Sequence, residues 1–442
     1  MNEPTPLLRH VARAGLRVLY LCHRVPYPPD KGEKIRAYHQ IRALSERHRV
    51  SVLALCDGPV PDLAPLAAMC ERVEVFPLSR PASYARAALG AWRPRPLSLS
   101  FFESREMAER VRELARRERF DVAVVYCSSM APYAALAPDV PAVLDMVDVD
   151  SAKWAQYARF APLALRPVYA LEARRLRRYE ASLAGRFQRI AFATGNETRL
   201  YKASAPAAKA VTLLNGVDVD FFQPLDLPKA SKPTLVFTGQ MDYFANVDGV
   251  THFAREVFPR LRQRFPEIEL LIVGRSPVAA VRDLGELPGV QVTGAVGDVR
   301  PFLARAWVFV APLRIAQGVQ NKVLEATASH LPVVCTERVL AGLADGGFRS
   351  GRDLLAAATD EGMERAVAAL IADERERERL ADGARQRLLA TYRWAPNLDR
   401  SEELVGAVAR PPAGSPALPV ESRRAEEEAA APGAAALEAR RA

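Results

Sequence analysis

The residues best placed to do chemistry lie between Ala311 and Val334, APLRIAQGVQNKVLEATASHLPVV. Lys322 and Glu325 are three apart, so on a helix they share one face. A lysine there can meet a diphosphate, and an acid can meet a sugar hydroxyl. Gly318 precedes them, and we expect the helix to start near it. A glycine at a helix N-terminus lets a ligand come close to free N–H groups, and the dipole there favours phosphate. Short apolar runs flank the pattern, Val308 to Ala311 before it and Pro332 to Val334 after it. Strand, polar loop, helix and strand spell a βαβ unit with a ligand site at its crest.

Other candidates sit where strands should end. Gly239 follows the apolar run Thr234 to Thr238. Arg275 follows Ile268 to Val273 and Gly274, and an arginine fork suits phosphate oxygens. Gly294 ends another such run, and Asp298 just beyond it reads as a cap for a helix from Val299 to Ala304. In the first half, Lys31, Gly32 and Lys34 follow the run RVLYLC (Arg17 to Cys22), where simple turn chemistry after Pro28-Pro29-Asp30 is the plainer alternative. Asp145, Asp148 and Asp150 follow Ala142 to Leu144. Acids at a strand end suit acceptor binding or proton handling, and of these Asp148 is the candidate for it. Capping of the helix at Ser151 is the competing reading. Asp148 and Asp150 also spell a D-x-D metal pattern, which we set aside because the phosphate-facing pattern lies in the other half.

The elements that must hold these residues follow from periodicity. Strands are expected at 17–22, 50–55, 73–76, 122–126, 142–144 and 190–193, with helices at 35–47, 107–119 and 166–184 among them. The rhythm restarts with strands at 234–238, 268–273, 290–292, 308–310 and 333–335, and a helix at 250–265. Alternating strands and helices make an α/β chain with parallel sheets covered on both faces. We expect a flexible N-terminus (1–15), a first Rossmann-like domain (16–213), a Pro-rich linker (214–233), a second domain (234–392), a helix returning to the first domain (393–410) and a disordered tail (411–442).

Composition limits the partners. The 442 residues are 49% hydrophobic and 26% charged, as expected of a globular chain of two domains. No run approaches the roughly 18–20 apolar residues of a spanning helix, and the N-terminus lacks a signal-peptide core. Five scattered cysteines without C-x-x-C spacing suggest free thiols in the cytoplasm. The net charge of +9 is concentrated in the first half. There the helix 166–184 carries Arg174, Arg175, Arg177 and Arg178, a basic amphipathic face that could lie on the inner surface of an anionic membrane or simply be solvated. Aromatic residues are too sparse beside it, and nucleic-acid motifs too few, to imply a nucleic-acid partner.

The segment VAPLRIAQGVQNKVLEATASHLPVV resembles the donor-site signature of the family 4 (group 1) glycosyltransferases of the GT-B fold. FTGQMDYFANVDGVTHF, LLIVGRSP, VTGAVGDVRPFL and TYRWAPNL follow the order of that family's second domain. VPYPPDKGEKIRAYHQI and VLDMVDVDSAKWAQYA are similar to a narrower bacterial branch linked to exopolysaccharide and exosortase (PEP-CTERM) systems. The resemblance spans about residues 16–407. It implies a nucleotide-diphosphate sugar as co-substrate, no other cofactor, no bound metal, a glycan or polyprenyl-linked acceptor, and transfer with retention. It places Glu325 on the donor ribose, Gly239, Gly294, Gly318, Arg275 and Lys322 around the donor, and Lys31 and Gly32 in a loop facing phosphate and acceptor. The family's first motif acid falls at Gln317, where a neutral amide stands. A nucleotide-sugar 2-epimerase of the same fold and a non-catalytic scaffold subunit are the alternatives, the second kept open by Gln317.

Overall fold

Runs such as RVSVLALC are apolar almost without interruption, as strands buried on both faces must be. The computed structural model describes residues 15–410 and turns these runs into two parallel sheets. The first contains β1 (Arg17–Cys22), β2 (Arg49–Cys56), β3 (Arg72–Pro77), β4 (Val122–Tyr126), β5 (Ala142–Val147), β6 (Arg189–Phe192) and β7 (Ala210–Thr212). Their order is β3-β2-β1-β4-β5-β6-β7. The second contains β8 (Thr234–Thr238), β9 (Glu269–Val273), β10 (Val290–Gly294), β11 (Val308–Ala311), β12 (Val333–Thr336) and β13 (Leu355–Ala357), in the order β10-β9-β8-β11-β12-β13. Both orders reverse beside the first strand, between β1 and β4 and between β8 and β11. Such a switch point opens a crevice beyond the strand ends. This is the two-Rossmann α/β architecture of GT-B proteins.

Each sheet has its own core. Leu235, Phe237, Ile272, Phe309 and Val334 anchor the second sheet under its helices. The first sheet is covered on one face by a cluster around Leu53, Val125 and Leu144 and on the other by one around Val52, Val124 and Ile41. Val405, from the helix Trp394–Val408, packs into that last cluster. The segment between the sheets is gripped at its start. A Cβ on Gly216 would stand 2.4 Å from the Trp394 ring, and Asn397 Nδ2 donates to the Asn215 carbonyl at 2.8 Å.

Several elements differ from the sequence expectation. The helix expected near Gly318 runs from Asn321 to Ala328, and Gly318 stays in the loop with φ +62°. The helix after β1 begins at Gly32 itself. The helix expected from Val250 starts at Phe244 and passes through a π-helical turn at Phe253–Val257. Strand β5 runs on to Val147, so Asp145 lies within it rather than after it.

Asp145 therefore serves the fold and not the cleft. Arg36 Nε and Nη2 donate to its carboxylate at 2.8 and 3.3 Å, and Gln40 Nε2 donates at 2.6 Å. Arg36 Nη1 donates to the Leu213 carbonyl and to Asn215 Oδ1, both at 2.8 Å. Arg36 and Asp145 are each only 2% exposed. A buried ion pair costs little when its lone pairs and protons are nearly all used, as here, and removing one partner strands the other. The network ties the helix Gly32–Arg47 to β5 and to the end of the first sheet's chain path.

Candidate functional site

The walls of the cleft are the loops beyond the strand ends of both sheets. On the second sheet, Gly239 and the helix Asn321–Ala328 meet. A Cβ on Gly239 would lie 2.8 Å from Asn246 Nδ2 and 3.0 Å from Lys322 Nζ, so only glycine lets this turn approach the lysine. Lys322 donates to Asn246 Oδ1, and its ammonium lies 4.6 Å from the centre of the Phe237 ring. Among the described residues no carboxylate is within ion-pair distance of it. Burial pushes the Lys322 ammonium down to about 7, and Glu325 counters only part of that. Burial likewise pushes the Glu325 carboxyl up to about 7. A cation and an acid, each poised near neutrality, with Gly239 against the lysine, form an anion-receptive crest.

Arg275 and Gly294 close this side. Gly294 has φ +71° and open space where a side chain would be. Asp298 accepts the Arg300 backbone N–H at 2.9 Å and the Arg300 guanidinium at 2.8 to 3.0 Å. It is spent at the start of the helix Arg300–Arg305. Arg275 crosses the cleft, donating to Asp30 Oδ2 at 2.6 Å and to the Asp30 carbonyl at 3.1 Å. Burial raises the Asp30 carboxyl, but Arg275 and Lys34 more than offset this and hold it below its ordinary value.

On the first sheet, Gly32 faces the helix Asn321–Ala328. A Cβ there would touch Asn321 Nδ2 at 3.5 Å, an ordinary contact. Lys31 precedes the helix without capping it. With Arg24, Lys34 and Arg80, Lys31 lines a basic recess of about 240 Å³ that also contains Asp57.

Asp148 is aimed by strained backbone. Val147 has φ +65°, and the Asp148 N–H donates to the Met146 carbonyl at 2.7 Å, a γ-turn around a β-branched residue. The register of β5 against β6 shifts at the same place. Strain of this kind persists where the surroundings enforce it, often at functional sites. The turn presses Asp148 on Gly318 from the other half. A Cβ on Gly318 would lie 2.0 Å from Asp148 Oδ1. That oxygen is buried without a hydrogen-bond partner. Burial, with help from neighbouring Asp150, lifts the Asp148 carboxyl to about 6. Asp148 does not cap the helix Asp150–Phe160, which has no side-chain cap. Asp150 turns away, held by Lys153 Nζ at 2.5 Å and Ser128 Oγ at 3.2 Å.

Gln317 reaches the same place. Its Nε2 donates to Glu197 Oε1, and its Oε1 accepts from Gln156 Nε2. Glu197 was not singled out from the sequence, where it reads as a first-turn helix acid in Gly195–Ser204. The structure thus gathers Gly239, Lys322 and Glu325 at one crest and Asp148, Gln317 and Gly318 at the seam, with Gly32 and Arg275 on the rims. Gly294 lies at the end of β10, and Arg174, Arg175, Arg177 and Arg178 lie on the helix Arg166–Ser182.

Comparison with known proteins agrees with this geometry. A family model described as group 1 glycosyl transferases matches residues 232–373, the span that holds the crest. Among solved structures the chain is similar to a sucrose-phosphate synthase from Thermosynechococcus elongatus, at 14% identity over 89% of this chain and 98% of that one, with a TM-score of 0.68. It is also similar to HepE of Anabaena in complex with UDP and glucose, at 13% identity over 89% and 100%, TM-score 0.61. A glycosyltransferase from Rickettsia africae aligns at 12% identity over 90% and 99%, TM-score 0.65. These likenesses establish the GT-B fold. No curated protein matches the chain.

Proposed function

We propose that this chain is a retaining glycosyltransferase. It would move a sugar from a nucleotide-diphosphate donor to a glycan or polyprenyl-linked acceptor in exopolysaccharide synthesis. The observation that carries the reading is Lys322, a half-buried ammonium held by an amide oxygen and not by a carboxylate. A diphosphate would complete it. Glu325, one turn along, would accept from the ribose. Arg275 would join the leaving group on releasing Asp30. Charge developing on the diphosphate is then met by donors fixed beforehand, which is where such sites obtain most of their rate. Asp148, near 6 and with a free oxygen, suits a base for the acceptor hydroxyl at neutral pH. The basic recess around Lys31 would seat an anionic group of the acceptor.

The direct test is incubation of the purified chain with nucleotide sugars and detection of donor hydrolysis or transfer. Glu325→Ala should remove either. Turnover by neither protein would leave the scaffold reading. A C2-inverted sugar nucleotide as product would give the epimerase.

A lipid-linked acceptor would lie on a membrane, and one surface supports that. Leu163 is 76% exposed, Leu89 79% and Trp92 94%. The segment with Leu89 and Trp92 is joined to the helix Arg166–Ser182, which follows Leu163, where Arg175 Nη2 donates to the Ala91 carbonyl at 2.6 Å. Arg174, Arg177 and Arg178 are exposed on the helix that begins beside Leu163. Apolar knobs beside arginines suit an anionic interface, where each basic residue contributes about 1 kcal/mol. Among the described residues no helix is long and apolar enough to cross a membrane. Pelleting with phosphatidylglycerol vesicles should weaken about tenfold for Trp92→Ala with Leu163→Ala, and further in high salt. Equal pelleting by both proteins would exclude this surface.

A further inference from the structure

Gln317 is held at both ends. Its amide nitrogen donates to Glu197 and its amide oxygen accepts from Gln156, both on the opposite half of the molecule. These contacts turn it toward the facing wall, and as a neutral amide it brings no charge to a sugar. Glu197 is just as fully engaged. It is 1% exposed, and its second oxygen accepts the Val149 backbone N–H at 2.6 Å. Val149 directly follows Asp148, and Gly318 directly follows Gln317. The Gln317–Glu197 contact therefore sets the seam at which Asp148 presses on Gly318. Thr194 Oγ1 accepts the Glu197 backbone N–H at 3.1 Å and fixes the acid on the first turn of its helix.

We propose that Glu197 is the positioning carboxylate of this cleft, holding Gln317 of the donor half against Asp148-Val149 so that the acid expected at 317 is carried on the facing wall. The proposal rests on the transferase reading for its consequence but not for its geometry. An acid at 317 would add a third carboxylate to Glu197 and Asp148, with Lys153 the cation that acts on both. The amide at 317 is thus the complement of Glu197 and not a degenerate remnant. Burial and the nearby Asp148 lift the Glu197 carboxyl to about 8, in keeping with acids packed at one seam.

The pair can be exchanged without losing a hydrogen bond. With Glu197→Gln and Gln317→Glu together, the new amide at 197 can donate to 317 and still accept from Val149, while 317 still accepts from Gln156. Glu197→Gln alone can also keep its contacts, because Gln317 and Gln156 can both turn over and Gln156 Oε1 is unpartnered. It loses only the charge.

Hydrogen exchange of residues 146–150 and 314–320 in the full chain, at about pH 8.5, reads the seam. Hydrolysis of UDP-glucose and GDP-mannose by the same proteins at that pH, where Glu197 is mostly ionised, reads the consequence. Gln317→Glu should speed exchange in both segments at least tenfold, and the double exchange should return it to within twofold of wild type. Glu197→Gln alone should keep the slow exchange but lose at least tenfold in hydrolysis. Wild-type exchange in Gln317→Glu, or a double variant as open as the single one, overturns the proposal. Unchanged hydrolysis in Glu197→Gln overturns the role of its charge. Should Gln317→Glu fail to fold, the double variant decides by itself, open exchange overturning the proposal and closed exchange supporting it. The expected exchange pattern in a protein that hydrolyses neither probe would leave the contact standing and count against the transferase reading.

Discussion

Gly318→Ala is expected to lower turnover of a nucleotide-sugar donor at least about a hundredfold, or about 2.7 kcal/mol of transition-state stabilisation, while leaving the chain folded. Two effects combine. At φ +62° an L-residue costs roughly 1–2 kcal/mol. The added methyl would also stand 2.0 Å from Asp148 Oδ1, far inside contact distance. Ala316 and Val319 on either side of Gly318 pack against the second sheet's core and hold the loop in place, so the strain is relieved by parting the two walls rather than by unfolding. The parted cleft separates Asp148 from the donor crest and admits water. Steady-state hydrolysis of donor, with a thermal melt as control, measures both halves of the expectation. The two causes can be separated in an Asp148→Ala background. There the clash is gone, and adding Gly318→Ala should open the seam much less, as read by hydrogen exchange at 314–320. Wild-type turnover by Gly318→Ala would mean that the contact between these residues is not needed for the reaction.

The local parts of this site were legible in the sequence and the non-local parts were not. Lys322 and Glu325 are three apart on one helix between two apolar strands, so spacing alone puts them together. The long apolar strands were equally plain. Strands β7 and β13, at three residues each, are too short for any period to show. Asp145, Asp148 and Asp150 looked alike as neighbours after a strand. A positive-φ turn at Val147 separates them, leaving Asp145 inside the strand against Arg36, 109 residues away, and turning Asp148 outward. Nothing near Val147 in sequence announces that turn. Arg275 looked free for phosphate because its partner, Asp30, is 245 residues distant. Glu197 was missed for the same reason. Alone it is one acid in a helix's first turn, and its meaning comes from Gln317, 120 residues further on. Chain distance hid the complement that explains why position 317 is neutral.

Binding of a nucleotide-diphosphate sugar, probed with UDP-glucose, is expected to be tightest near pH 7, because the two crest groups titrate there in opposite senses. In the free protein burial holds the Lys322 ammonium down to about 7, so above that pH the lysine is mostly neutral. A diphosphate beside it favours the charged form and raises its value. Binding above pH 7 must then take up a proton, and affinity falls as pH rises. Burial holds the Glu325 carboxyl up to about 7, so below that pH it is mostly protonated. A ribose hydroxyl donating to it favours the carboxylate and lowers its value. Binding below pH 7 must release a proton, and affinity falls as pH falls. The diphosphate diester of UDP-glucose does not itself titrate in this range. Calorimetry in pairs of buffers with different ionisation heats should show nearly one proton taken up at about pH 8, nearly one released at about pH 6, and a crossing near 7. Lys322→Met should abolish the uptake but keep the release, and should weaken binding roughly a hundredfold at pH 7, about 2.7 kcal/mol for a lost charge-assisted contact. Its deficit should shrink at higher pH, where the wild-type lysine must first acquire its proton. Glu325→Gln should do the reverse, keeping the uptake at pH 8 and losing the release at pH 6. Equal affinity at all three pH values in wild type, or an undiminished proton uptake in Lys322→Met, would show that neither group meets the donor in the way the crest suggests.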